Sequence, residues 1–315
     1  MKICIIGVYF GVLPNTFPLW LKSCIKNGDV DFLIVTDAAV ETDAPNIRVL
    51  PMTLSEMQKL ASEKIGMEVV LSTPYKCCDY KPVYGLIFED HLRAYDYWGH
   101  CDFDMLFGRI TALTEKYHLE RYDKFLNLGH LSLYRNTPEC NARFTLTPKS
   151  GNSYRTSFAI EKTTQFDELG GINAIYEENR FPFFKERIFA DISSQWKRMK
   201  LAEDYFDSQD KNYPKQVFYW ENGKVLRTYE RNGRFIDEEF LYIHIKKRRY
   251  AVPSEEVLRA DSFYITPDSF AVKNGPVTGR DFRIYNPNHG AIYEVLEKHF
   301  IMKLRRRWHR RKSKR

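Results

Sequence analysis

The stretch YDYWGHCDFDMLFG, residues 95–108, decides the fold. Its first half is aromatic and apolar and has the length of a buried strand; it runs into two carboxylates, Asp102 and Asp104, one residue apart. Burying acids is costly, and acids are poor strand formers. At the carboxyl end of a strand they make sense in an open α/β sheet, where ligands bind beyond the strand ends.

Upstream, KICIIGVYF (2–10) and VDFLIVTD (30–37) read as strands, and PLWLKSCIKNG (18–28) between them has helical spacing that stops at Asn-Gly. NIRVLPM (46–52) reads as a third strand. TLSEMQKLASEKIG (53–66) reads as a helix capped by Ser55 and closed by Gly66. KPVYGLIFEDHLRAY (81–95) reads as the helix that leads into the acidic strand, with its proline in the first turn. This alternation predicts a mostly parallel sheet flanked by helices.

Downstream, KFLNLGHLSLYRN (124–136) is strand-like, and GGINAIYEENR (170–180) and SSQWKRMKLAEDYF (193–206) read as helical. In QVFYWENGKVLRTYERNGRFIDEEFLYIHI (216–245), Asn-Gly sits between β-rich arms and recurs at 232–233, so antiparallel hairpins are expected here.

Across the 315 residues, 48 lysines and arginines face 41 acids, but nine of those cations lie in KLRRRWHRRKSKR, residues 303–315. Without them the rest carries 39 bases against 41 acids, a near-neutral body that offers no specific nucleic-acid footprint. The six cysteines have no metal-ligand spacing and read as reduced thiols of a cytoplasmic protein. Lys2 followed by an apolar run imitates a signal peptide, yet Pro14 and Pro18 follow without a small-residue cleavage site. Ile292, Leu296, Phe300, Leu304 and Trp308 form an i, i+4 stripe, which reads either as an amphipathic helix with a cationic end, docked on the domain or on an anionic membrane face, or as a solvated, frayed C-terminus.

Two neighbouring carboxylates repel, and a divalent cation relieves that conflict while adding charge that suits a phosphate. Oxygen donors of this kind favour Mg²⁺ or Mn²⁺. The plainer reading is that the acids cap a following turn. His244, alone in an apolar alternation and followed by a run of cations, reads either as a satisfied core residue or as a ligand beside a diphosphate.

The block DYKPVYGLIFEDHLRAYDYWGHCDFDMLFGRI, residues 79–110, resembles glycosyltransferase-like proteins of bacterial capsule and surface-polysaccharide clusters. More distantly it is similar to GT-A nucleotide-sugar transferases. The resemblance implies a GT-A-like, Rossmann-like α/β catalytic domain over residues 1–250, followed by a C-terminal extension, 251–315, with an amphipathic helix and a basic tail. It implies a transferase that moves sugar from a nucleotide-sugar donor to a polysaccharide or lipid-linked glycan acceptor, at the inner face of the cell membrane.

On that resemblance Asp102 and Asp104 hold Mn²⁺ or Mg²⁺ on the donor diphosphate, and His244 with Lys247 completes the metal and phosphate site. HIKKRRY departs from the glycogenin-like pattern, which places Gly and then Lys-Pro after the His. Gly7, Tyr9 and Phe10 of GVYFG are expected against the nucleotide, Asp37 at base or ribose, and Asp79 and Lys81 near phosphate or donor sugar. Each also has a structural reading, as an eased turn, a cap or a surface ion pair. Asp167 and Glu168 are the acceptor-side candidates for a base, which an inverting transferase needs, or else helix-start caps. The alternatives in other classes are a metal-dependent phosphohydrolase with an aspartate nucleophile and a non-catalytic membrane-surface or interaction protein.

Overall fold

The strands are β1 Ile3–Tyr9, β2 Asp31–Thr36, β3 Ile47–Pro51, β4 Tyr97–Cys101, β5 Met105–Phe107, β6 Lys124–Phe125, β7 Leu131–Arg135, β8 Phe183–Phe184, β9 Ala190–Asp191, β10 Gln216–Glu221, β11 Lys224–Arg231, β12 Arg234–Phe240, β13 Tyr242–His244, β14 Ser262–Ile265 and β15 Phe270–Val272. They come from a computed structural model that describes residues 1–202, 212–246 and 248–288. The chain divides into two compact units. The first comprises Met1–Phe17, Cys24–Phe103 and Ile110–Arg187, and the second Pro18–Ser23, Asp104–Arg109 and Ile188–Arg315.

The first unit is built on a seven-stranded sheet in the order β3-β2-β1-β4-β7-β6-β8. β3, β2, β1 and β4 are parallel, as the alternating pattern predicts, while β7 returns antiparallel to β4. The mixed α/β architecture with a largely parallel core is therefore the expected one. Because the chain builds outward from β1 to β3 and then crosses to β4 on the other side, the switch point lies between the carboxyl ends of β1 and β4. That is where an open sheet of this kind forms its ligand crevice.

One face of this sheet, with Cys4, Ile6, Leu33, Val35, Trp98 and Tyr134, shares a core with the helix Leu54–Ile65 and with the short helical turns of residues 77–92. The N-cap of Leu54–Ile65 is Thr53, not Ser55: the Thr53 hydroxyl accepts from Glu56 N while the Glu56 carboxylate accepts from Thr53 N. Gly66 closes the helix in the left-handed region at φ 74°. The single helix expected over 81–95 is instead a series of turns, Lys81–Val83, Tyr84–Ile87 and Glu89–Leu92. Val83 and Phe88, at φ −110° and −107°, interrupt them. Gly85 allows the close packing of this segment, because a Cβ there would lie 2.3 Å from the Trp98 indole.

The expected strand 124–136 is two strands, β6 and β7, separated by the segment that carries Gly129 and His130. The helix expected within 170–180 is present as Ile172–Glu178.

In the second unit, β12-β11-β10-β14-β15 form an antiparallel sheet, with Asn222-Gly223 at the β10–β11 turn and Asn232-Gly233 at the β11–β12 turn. All four turn residues have positive φ, which the Asn-Gly pairs predict. β5, β13 and β9 form a small separate sheet. As far as it is described, the segment expected to be helical over 193–206 is not a helix. Its carbonyls at Ser193, Trp196, Lys197 and Arg198 accept from the Arg248 guanidinium, so they are drawn into a tertiary contact instead of an i, i+4 ladder. Residues 203–206, Lys247 and the amphipathic stripe and basic tail of 292–315 lie outside the described residues. Among the described residues no helix is long and apolar enough to cross a membrane.

Candidate active site

Asp102 continues the ladder of β4 by one residue, its amide donating to His130 O at 3.0 Å. Phe103 ends the second of the three segments of the first unit, and Asp104 begins the second segment of the other. Phe103 is buried, stacked on Tyr9 with ring centroids 5.4 Å apart and tilted against Phe17 at 5.3 Å. A Cβ on Gly7 would stand 2.3 Å from its ring, so the glycine in β1 gives the phenyl its seat. With Phe103 anchored inward, the carboxylates on either side stay about one-third exposed, at 33% and 37%.

Within the first unit, Asp102 Oδ1 accepts from Lys81 Nζ at 2.6 Å. The same ammonium donates to Gly129 O at 2.7 Å and lies 3.7 Å from Asp167. Burial alone would push the Lys81 pKa down, but the charges of Asp102 and Asp167 hold it well above its ordinary value. Asp167 is itself buried, and desolvation raises its carboxyl to about 7, against the opposing pull of Lys81. Glu168 accepts from Gly129 N at 2.9 Å. Gly129 is threaded between these acids, since a Cβ there would meet Asp167 Oδ2 at 2.3 Å.

Within the second unit, β5 pairs antiparallel with β13 in a register that sets Met105 opposite His244, and Ile245 N donates to Asp104 O. His244 Nε2 consequently lies 3.2 Å from Asp104 Oδ1. On the other side, β9 sets Asp191 beside His244, whose Nδ1 is 2.9 Å from Asp191 Oδ1. Lys246 Nζ donates to Asp191 Oδ2 at 2.6 Å. Burial works against a charged imidazole, yet the hydrogen bonds to the Asp104 and Asp191 carboxylates raise its pKa to about 9.

The other expected residues are placed as follows. Tyr9 serves as the stacking partner of Phe103, and Phe10 is buried in the core of the first unit. Asp37 accepts from Gly11 N at 2.7 Å and fixes the loop after β1, where Gly11 has φ 96°. Asp79, expected near phosphate, is fully buried and accepts from Lys76 Nζ and from the amides of Thr164 and Phe166. It holds the segment that presents Asp167.

Sequence reasoning missed Asp191, Phe103 and Gly129, and met Lys246 only as the first of the cations after His244. Asp191 offered only a lone acid inside an apolar run, and its meaning comes from the pairing of β9 with β13. Gly7 is testable through stability. Alanine in a strand normally gains about 0.5–1 kcal/mol over glycine. Gly7→Ala is expected instead to cost about 1–3 kcal/mol through overpacking against Phe103. An unchanged thermal midpoint would show that the ring has room to give.

Residues 5–274 match the model of a family of unknown function, DUF6625. The chain belongs to that family. No curated protein matches it in sequence. Among solved structures it is similar to apo mouse xyloside xylosyltransferase 1, at 9% identity and a TM-score of 0.39, over 62% of this chain and 89% of that one. It is also similar to the galactosyltransferase LgtC solved with donor and acceptor sugar analogs, at 9% identity and a TM-score of 0.35, over 60% of this chain and 75% of that one. Likeness at this level does not carry an activity from those enzymes to this family member.

Proposed function

We propose that this DUF6625 chain is a metal-dependent glycosyltransferase that moves a sugar from a nucleotide-sugar donor to a polysaccharide or lipid-linked glycan in bacterial surface-polysaccharide synthesis. Residues 1–250 form its catalytic part in this reading. The observation that carries it is the Asp104–His244–Asp191 arrangement, with Asp102 two residues before Asp104 in the chain.

The donor set fits a divalent cation. Asp191 binds Nδ1 of His244, an arrangement that fixes the tautomer and leaves Nε2 toward Asp104, as metal-ligating histidines commonly require. Carboxylate oxygens with one imidazole suit Mn²⁺, and the carboxylates also suit Mg²⁺. In our assignment Asp102, Asp104 and His244 hold the ion, which when bound supplies positive charge to a departing nucleoside diphosphate. Lys81, with Lys247 after β13, adds cationic charge for phosphate oxygens. Gly7, Tyr9, Phe10 and Asp37 shape the nucleotide side of the switch-point crevice. Asp167 is the base that takes the proton of the acceptor hydroxyl, positioned by Lys81 and flanked by Glu168.

The deciding experiment is a donor screen, with release of free sugar measured across uridine-, guanosine- and cytidine-diphosphate sugars. We expect hydrolysis of at least one donor that stops with chelator and returns with Mn²⁺ or Mg²⁺. Activity indifferent to chelation, or none across the panel, rejects the proposal.

The nine cations of residues 303–315 support residence at an anionic membrane face, each worth about 1 kcal/mol near such a surface. The intact chain is expected to sediment with anionic vesicles at low salt and to be released at high salt, when screening shortens the field. Equal sedimentation of a chain lacking 303–315 would remove the membrane role.

A further inference from the structure

The second unit carries another polar cleft, of about 470 Å³, which shares no residue with the carboxylate–histidine group. Its floor is the five-stranded sheet, on the face of Tyr219 and Tyr264, opposite the face that buries Phe218 and Trp220. Tyr219, Glu221, Thr228, Phe235, Asp237 and Lys273 supply its chemistry.

These groups are held in place before any ligand arrives. Lys273 is more than nine-tenths buried, donates to Glu221 Oε1 and to Gly275 O at 2.7 Å each, and lies 4.8 Å from the centroid of the Tyr219 ring. Thr228, also buried, donates to Asp237 Oδ1 at 2.5 Å. The Asp237 residue itself is exposed, so its carboxylate meets solvent from a fixed position. Phe235 packs against Phe282 at 90° with centroids 5.2 Å apart, yet 46% of it remains exposed. Pro276 and Val277 complete an apolar wall.

A cleft of this make-up has few complementary ligands. Carboxylates beside an ammonium offer acceptors and donors at close spacing, and each sugar hydroxyl both donates and accepts. An exposed ring next to them offers a surface for the C–H face of a pyranose. A purely apolar ligand would strand the buried ions, and an anion would meet Glu221 and Asp237. We propose that this cleft is a saccharide-binding site that holds a short neutral glycan. The inference rests on the transferase reading only for the choice of a saccharide as ligand, and it names a place where an acceptor glycan is captured apart from the reacting hydroxyl. Rigid partners lower the ordering cost of binding, so affinity should depend on few residues.

The test is calorimetric titration of the full chain with a panel of neutral di- to tetrasaccharides of glucose, galactose and N-acetylglucosamine. It is repeated on Phe235→Ala and Asp237→Asn, with spermidine as a cationic probe, and donor hydrolysis is assayed on all three proteins. We expect at least one saccharide to bind the wild type, both variants to weaken it about tenfold or more, and both to keep wild-type donor hydrolysis, because neither residue belongs to the catalytic group. No saccharide bound, wild-type saccharide affinity in both variants, or spermidine as the only ligand lost in Asp237→Asn overturns the proposal. Saccharide binding lost in the variants of a chain that hydrolyses no donor would leave the cleft standing and reject the transferase instead.

Discussion

Asp104→Asn will lose donor turnover by at least about a thousandfold, the scale expected when several kcal/mol of charge stabilisation disappear. The substitution keeps the shape of the side chain and its capacity to accept a hydrogen bond from His244, and removes only the negative charge. Asp104 is 37% exposed, so no unpaired buried group is created and the thermal midpoint should stay within a few degrees. Asp102→Asn should behave alike, although it also strips Lys81 of its nearest counter-ion. Asp191→Asn acts one step further out, by disturbing the tautomer of His244, and should weaken metal affinity about 10–100-fold. The gradation is the diagnostic feature, measured as metal concentration for half-maximal turnover. Wild-type metal dependence in Asp104→Asn and Asp102→Asn would show that these acids are turn caps.

How much of this site could be read from the chain depends on whether its cause is local. The alternation of apolar runs with a helical pattern marks β1, β2 and β4 because these strands are buried in the sheet, and β3 is its half-exposed parallel edge. The Asn-Gly pairs fix the β10–β11 and β11–β12 turns through backbone preference alone. What the sequence hides is pairing at a distance. The apolar MLF after Asp104 looks like a return into the core, and only its register with β13 explains why His244 lies beside Asp104. Asp191 belongs to a strand of two residues, too short for any periodicity. Arg248 converts an expected helix into a knot of carbonyls around one guanidinium, a competition that no window of propensity contains. Asp79 looks like a phosphate-side acid because it precedes Lys81, yet beside the nearby Lys76 its carboxylate takes backbone amides some 85 residues further on.

Asp167→Asn should lower turnover on an acceptor about 10²–10⁴-fold, the usual contribution of a positioned general base. Its carboxyl is raised to about 7 by burial, opposed by Lys81 and reinforced by the negative charges of Glu168, Asp102 and Asp79. A base must be ionised, so wild-type kcat/KM is expected to rise with pH through about 7 and then level, while the variant's residual rate lacks this step. Stability runs the other way. The folded pKa stands above the ordinary 3.8, so between those values the native state binds more protons than the unfolded one and stability falls as pH rises toward 7. At pH 8 wild-type Asp167 thus carries a buried charge at a cost, and the asparagine variant should melt higher than the wild type while turning over far less. At pH 4 that advantage should largely vanish, because the native carboxyl is protonated there. Opposite signs for activity and stability distinguish a strained catalytic group from a structural one, whose loss would lower both. Full activity in Asp167→Asn with an unchanged pH profile would remove it as the base and favour a retaining reaction, in which no fixed protein base is needed.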